Sequence, residues 1–168
     1  ISQFEKKPKF TMLDTMNFWM DKTLDDLLKI ISKVDLICIN DEEVIQLSGC
    51  KDYKSGVKKI LTMGPKYLIM KKGEYGSTLY SNKLEFSCPS FKVKKVIDPT
   101  GAGDSFAGAF AGYLAESKDY TFESISSALI FANAVASFCV EKFGIENMLN
   151  ISKDEIDKRI SFIKKHNN

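Results

Sequence analysis

The amino-acid sequence predicts an α/β domain with a largely parallel sheet. Three observations predict it: buried-strand patterns at 35–39, a continuous apolar run, and at 66–73, amphipathic helical stretches alternating with them, and a hairpin-like segment followed by a helical C-terminal third. At 168 residues the chain is long enough for one substantial core and short for two, so the expectation is a single domain over 1–168.

Taken in order, "KFTML" (9–13) reads as a short apolar strand, and "TLDDLLKIISK" (23–33) carries Leu24, Leu27, Leu28 and Ile31 at helical spacing. "DLICI" (35–39) has the unbroken apolar character of a buried parallel strand. It runs into "NDEEVIQLSG", where Asn40 can cap a helix, Glu43 can reach back from the third position, and Gly49 can close the helix. "YKSGVKKILTMG" (53–64) fits another helix, and "KYLIMKKG" (66–73) another buried strand. "GSTLYS", "KLEFSC" and "FKVKKVI" then read as short strands, with residues 81–83 as a hairpin tip. Three helices follow, from 104 to about 117, 121 to about 142, and 152 to about 165. The glycines of "GAFAG", Gly108 and Gly112, are expected to let a helix pack closely against the sheet.

Composition excludes several classes of function. A net charge of +2 from 24 basic and 22 acidic residues provides no field for nucleic acid, and Lys6-Lys7, Lys58-Lys59, Lys71-Lys72 and Lys94-Lys95 read as solvated faces. Cys38, Cys50, Cys88 and Cys139 form no C-x-x-C pair, which argues against zinc and against a disulfide framework. No apolar run approaches a membrane span and no signal pattern opens the chain, so a cytoplasmic protein without a membrane partner is expected. The only histidine, His166, lies in the terminal "KKHNN", so catalysis has to rest on carboxylates. The chain opens on Ile1 rather than methionine, and a fragment of a longer protein is expected.

The chemistry concentrates in "DPTGAGDSFAGAFAGYLA" (98–115). At a helix start several amides lack intrahelical partners, and the peptide dipoles add about half a positive charge there. Gly101 and Gly103 have no side chains to block an approaching anion, so the amides around Gly101, Ala102 and Gly103 can receive phosphate. The same field favours ionised Asp104, a proton acceptor at neutral pH. Neither G-x-x-x-x-G-K-[ST] nor a complete Rossmann fingerprint is present. A plain turn followed by a dipole-matched helix, with nothing bound, uses the same residues. Chemistry alone leaves both readings open.

"DPTGAGDSFAGAF" resembles the C-terminal signature of the ribokinase-like, or PfkB, carbohydrate kinases, D-[TP]-T-[GA]-A-G-D-[ST]-F, and agrees at every position. The resemblance implies a three-layer ribokinase-like fold, present here in part: the chain corresponds to the C-terminal nucleotide-binding portion and lacks the N-terminal half and its lid. It implies ATP-dependent phosphorylation of a hydroxyl on a sugar or nucleoside, with Mg2+ as cofactor. Asp104 takes the role of catalytic base, and Gly101, Ala102 and Gly103 that of the anion hole. "NDEE" is similar to the N-x-x-E motif, which assigns Asn40 to the nucleotide and Glu43 to magnesium through water, beside their capping role. "KKGEYGS" resembles the G-x-x-G turn that puts Gly73 and Gly76 near ATP, and "FANAVASFCVEKFG" the helix that brings Asn133 to adenine. Asp98 and Thr100 match a monovalent-cation (K+) site, which the backbone near Cys139 and Gly144 would complete. The sequence departs from the family there, because Met148 and its neighbours replace a small hydroxylated residue.

The resemblance also admits a homodimer formed through the lid, and it implies that the fragment alone is inactive. Two further hypotheses stand beside catalysis: a nucleotide-binding module without activity, from a truncated or regulatory kinase-like domain, and a purely structural α/β domain.

Overall fold

A computed structural model describes residues 5–6 and 8–167, which form two compact units. Lys7, half of one predicted basic pair, lies outside the described residues. The first unit comprises the chain through Lys72 with Thr78–Phe86; the second comprises Gly73–Ser77 and the chain from Ser87.

Five strands form one sheet in the order β1 (Met12–Asp14), β2 (Leu36–Asn40), β3 (Tyr67–Lys71), β4 (Ser77–Ser81), β5 (Glu85–Cys88). The first three are parallel, with Asp14 opposite Cys38 and Asn40 opposite Lys71. Residues 72–76 and 82–84 are too short to carry a parallel crossover, so β4 and β5 add an antiparallel hairpin and the sheet is mixed. The hairpin closes where predicted, with Ser81 N–H donating to the Leu84 carbonyl at 2.8 Å. Leu36, Ile37, Cys38 and Ile39 are all fully buried. β2 is thus covered on both faces, the environment that its unbroken apolar run predicts.

In the first unit the helices are α1 (Asn17–Lys22), α2 (Leu24–Ile31), α3 (Asp41–Ser48) and α4 (Tyr53–Leu61). α3 begins on the predicted capping box: Glu43 N–H donates to Asn40 Oδ1 at 2.8 Å, and Asn40 N–H to Glu43 Oε2 at 2.7 Å. Gly49 ends it. Leu27, Ile31, Ile37, Ile39, Val44, Ile60 and Leu68 build one core cluster from the inner faces of these helices and strands. α1 was not predicted, because six residues are too few to show a helical period and its N-terminus carries no side-chain cap.

The second unit contains α5 (Ala102–Ser117), α6 (Phe122–Cys139) and α7 (Lys153–Lys165). Phe106, Phe110 and Leu114 of α5 and Ile125, Ala128, Leu129 and Ala132 of α6 are buried, as is Ile163 of α7. α6 is long and apolar enough to cross a membrane by length and composition, contrary to the expectation that no run approaches a span. Within the protein 67% of it is buried, and α6 packs against α5 and α7.

Two other expectations are corrected. Residues 91–97 form no strand; Phe91, Lys92, Val93 and Val96 line a cavity instead. Gly108 and Gly112 are exposed, and a Cβ on either would meet nothing within 4 Å, so close packing does not explain them.

Asp35 ties the start of β1 to the start of β2: its carboxylate accepts from Thr11 N–H at 3.0 Å, Thr11 Oγ1 at 2.9 Å and Lys66 Nζ at 3.0 Å. Partial burial pushes this carboxyl up, but the bonds from Lys66 and Thr11 outweigh it and hold the group below its ordinary value. A depressed carboxylate contributes stability above its unfolded pKa and loses it as pH falls through the folded one. Asp35→Asn should therefore destabilise the fold by about 1–2 kcal/mol at pH 7, and the difference from wild type should shrink in denaturant titrations below about pH 4.

Gly76 has φ +87°, and a Cβ there would lie 2.1 Å from the Cys88 carbonyl oxygen. Gly76→Ala should lower unfolding free energy by at least about 2 kcal/mol, read as a shifted urea midpoint.

Candidate active site

The second unit carries the glycine-rich turn. Thr100 N–H donates to Asp98 Oδ1 at 3.0 Å, Gly101 adopts the left-handed conformation at φ +79°, and α5 begins on the next residue. Ala102 N–H donates to the Pro99 carbonyl at 3.2 Å, which corrects the expectation of three free amides. Among the described residues, the amides of Gly101, Gly103 and Asp104 have no such acceptor. Asp104 is exposed on the first turn, and no described residue hydrogen-bonds or ion-pairs with its carboxylate. Free donors and a free carboxylate therefore share one helix entrance, where the dipole favours negative charge.

A cavity of about 470 Å³ reaches this entrance, with Pro99 and Ala102 in its lining. Phe91, Val93, Val96, Ala136 and Val140 make most of its wall apolar, and Gly73, Asn133 and Ser137 contribute polar atoms. Its size and lining suit a flat heterocycle. Asn133 is buried; its Nδ2 donates to Ser77 Oγ at 2.7 Å and to the Leu129 carbonyl at 2.9 Å. A carbonyl can only accept, so the Leu129 bond fixes the amide orientation and leaves Oδ1 as the acceptor available to a ligand.

The two predicted glycines separate. Gly73 lines the cavity and opens a 3-10 turn, Gly73–Tyr75. Gly76 does not line it; the close approach of the Cys88–Ser90 backbone accounts for its missing side chain.

The residues predicted to hold a monovalent cation do come together. Asp98 N–H donates to the Val140 carbonyl at 3.3 Å, and Cys139 Sγ lies 3.6 Å from the Thr100 carbonyl and 4.0 Å from that of Gly144. The Thr100 amide and hydroxyl, followed by the Gly144 amide, hold the Asp98 carboxyl below its usual range. The same bonds already occupy part of the oxygen set such an ion would need.

The first unit presents a separate polar cluster at the C-terminal ends of β1, β2 and β3, the end of a parallel sheet where ligands bind. Lys71 Nζ reaches Asp14 Oδ1 at 3.0 Å and Oδ2 at 3.2 Å. Burial pushes the nearby Glu43 carboxyl up, against the pull of the Asn40 amide and of Lys71, and Asp14 and Glu42 add to the rise. The Thr15 hydroxyl beside Asp14 is the one buried side-chain polar atom among the described residues without a partner. Sequence reasoning missed Asp14, Thr15 and Lys71. Lys71 was read as half of a solvated basic pair, and only the strand register brings it to the two carboxylates.

The comparisons with known proteins agree with this architecture. Residues 3–151 match the pfkB family of carbohydrate kinases. A cytidine kinase of Thermococcus kodakarensis is 35% identical over 94 residues, covering 55% of this chain and 34% of that protein. A ribokinase of Bacillus subtilis is 37% identical over 105 residues, 62% of this chain and 33% of that protein. Aminoimidazole riboside kinase from Salmonella enterica, solved with aminoimidazole riboside and an ATP analog, superposes with a TM-score of 0.79 at 22% identity, over 90% of this chain and 52% of that one. The chain thus spans about a third of the length of these curated relatives and about half of the solved structure. From its turn-and-helix signature, its mixed sheet and the match over most of its length, the chain belongs to the pfkB family of carbohydrate kinases.

Proposed function

We propose that this chain is the nucleotide-binding portion of an ATP-dependent kinase that phosphorylates a hydroxyl group of a sugar or nucleoside. The observation that carries the proposal is the unpartnered Asp104 carboxylate on the first turn of α5, beside free amides and a base-sized cavity of the same unit. Relatives that act on a nucleoside and on ribose keep both acceptor classes open.

ATP supplies the phosphoryl group, and its magnesium neutralises charge on the phosphates. Asp104 orients the acceptor hydroxyl and takes its proton as the new P–O bond forms and the bond to ADP breaks. General-base help of this kind is worth about 10²–10⁴ in rate. The Gly101 and Gly103 amides donate to the oxygens on which charge collects, and fixed donors of this kind need no reorganisation during the reaction. The cavity receives the heterocycle of the nucleotide, and Asn133 Oδ1 accepts a hydrogen bond that an amino group such as that of adenine can donate.

Among the described residues no group of three or more histidine, cysteine or acidic side chains could hold a metal by itself. Magnesium that arrives on phosphates needs only one or two carboxylates, so the residues present fit it. Glu43 is the carboxylate assigned to it, acting through water, and the unpaired Thr15 hydroxyl beside Asp14 is consistent with a polar ligand at those strand ends. Asp98 and Thr100, with the backbone at Cys139 and Gly144, are the residues assigned to a monovalent cation.

Asp104→Asn should cut turnover by about 10²–10⁴-fold while leaving the ATP dissociation constant within about twofold. Coupled ADP-release assays over a panel of sugars and nucleosides, with calorimetry for ATP, check both quantities. Near-normal turnover rejects Asp104 as base; nucleotide binding without turnover on any acceptor favours a non-catalytic module.

Glu43→Gln separates the cap from the metal role, because glutamine still accepts from the Asn40 amide without charge. An acid whose folded pKa is raised costs stability wherever it is ionised, so the substitution should leave the melting temperature at pH 7 unchanged or higher. It should also raise the magnesium concentration needed for half-maximal rate by about tenfold, the effect of losing one charged partner. A lowered melting temperature with an unchanged magnesium requirement would leave Glu43 with the capping role alone.

A further inference from the structure

Arg159 lies on α7, beyond residues 3–151 that carry the family match, and no motif singles it out. It nonetheless engages four side chains of the second unit. Its guanidinium carbon stands 3.4 Å from the centroid of the Phe138 ring and 4.5 Å from that of Phe91. Nη1 donates to Ser137 Oγ at 2.7 Å, and Nη2 pairs with Glu141 Oε2. Its side chain is only 12% exposed. Phe162, one turn further along α7, packs edge-on against Phe91 with centroids 5.1 Å apart.

Two of the residues gripped in this way, Phe91 and Ser137, line the cavity. They come from different elements. Ser137 sits on α6, whereas Phe91 belongs to a segment with neither helix nor strand to hold it. A planar guanidinium can stack on rings and donate in its own plane at the same time, and an ammonium cannot do both. Arg159 and Phe162, both on α7, are thus the packing partners of the Phe91 ring.

We propose that Arg159 is a positioning residue for nucleotide recognition: stacked between Phe91 and Phe138 and bonded to Ser137, it holds the aromatic wall of the base cavity in place. The inference rests on the assignment of that cavity to the base of ATP. It deepens that reading by placing the control of base affinity in α7, outside the turn at 98–104 that begins α5.

The test compares MgATP with magnesium tripolyphosphate, which has the phosphates and no base, binding to the full chain and to two variants. Arg159→Lys keeps a charge toward Glu141 but loses the stacked fork; Phe91→Leu leaves Arg159 intact and removes the ring from the wall. Both should weaken MgATP about tenfold in calorimetry and leave tripolyphosphate, measured by competition, within twofold. In the catalytically complete polypeptide the same variants should raise KM for ATP and leave KM for the acceptor unmoved. Equal weakening of both ligands, which a general loss of structure would produce, overturns the proposal. So does unchanged MgATP affinity in Phe91→Leu, even if Arg159→Lys fails to fold. Failure of wild type to bind MgATP at all sinks the underlying cavity assignment, and is told apart because the variants play no part in it.

Discussion

A helix that starts on a left-handed residue with no side chain cannot satisfy its own first amides, and the second unit is organised around that constraint. Gly101 turns the chain so abruptly that the Pro99 carbonyl reaches only Ala102. The amides of Gly101, Gly103 and Asp104 lie at the positive end of α5 without a backbone acceptor among the described residues. A capping side chain at this point would satisfy one of these amides. α3, α4, α6 and α7 all have such caps, from Asn40, Asp52, Thr121 and Ser152. α5, which has sixteen residues and buries Phe106, Phe110 and Leu114, derives its stability from packing and can begin uncapped.

The first unit meets a different electrostatic requirement. Parallel strands put the C-terminal ends of β1, β2 and β3 side by side, and the polar residues there fall on neighbouring positions: Asp14 on β1, Asn40 on β2 and Lys71 on β3. Lys71 lies between acidic groups and is held by Asp14, so the cluster stays nearly balanced in charge although it is largely removed from solvent. Glu43 belongs both to this cluster and to the cap of α3. One of its oxygens accepts from the Asn40 amide, which fixes the start of α3 and aims the carboxylate. Burial makes ionisation of that carboxyl more difficult.

Local patterns in the sequence are legible where physics acts over a few residues. The capping box at Asn40 and Glu43, the apolar runs of β2 and β3, the hairpin tip and the three long helices all follow from short-range rules, and each lies where the spacing puts it. The family resemblance rests on the same kind of information, a contiguous signature whose every residue is specified. The failures share a cause as well. Residues 91–97 alternate like a strand but pair with no strand, and consecutive residues from Phe91 to Val93 line a cavity. At Gly76 it is the Cys88 carbonyl, twelve positions along the chain, that excludes a side chain, a contact that no local pattern announces.

The sequence by itself determined the alternation of helices and strands, the helix entrance at 98–104 and the chemical identity of its carboxylate, since backbone conformation and capping are decided by neighbours along the chain. Only the tertiary structure decided which side chains meet across it. Lys71 pairs with Asp14 through strand register. Asn133 is locked by the Leu129 carbonyl and by Ser77. Arg159 is drawn between two rings. Those contacts join residues far apart in the chain, and their geometry depends on packing, which no local pattern encodes.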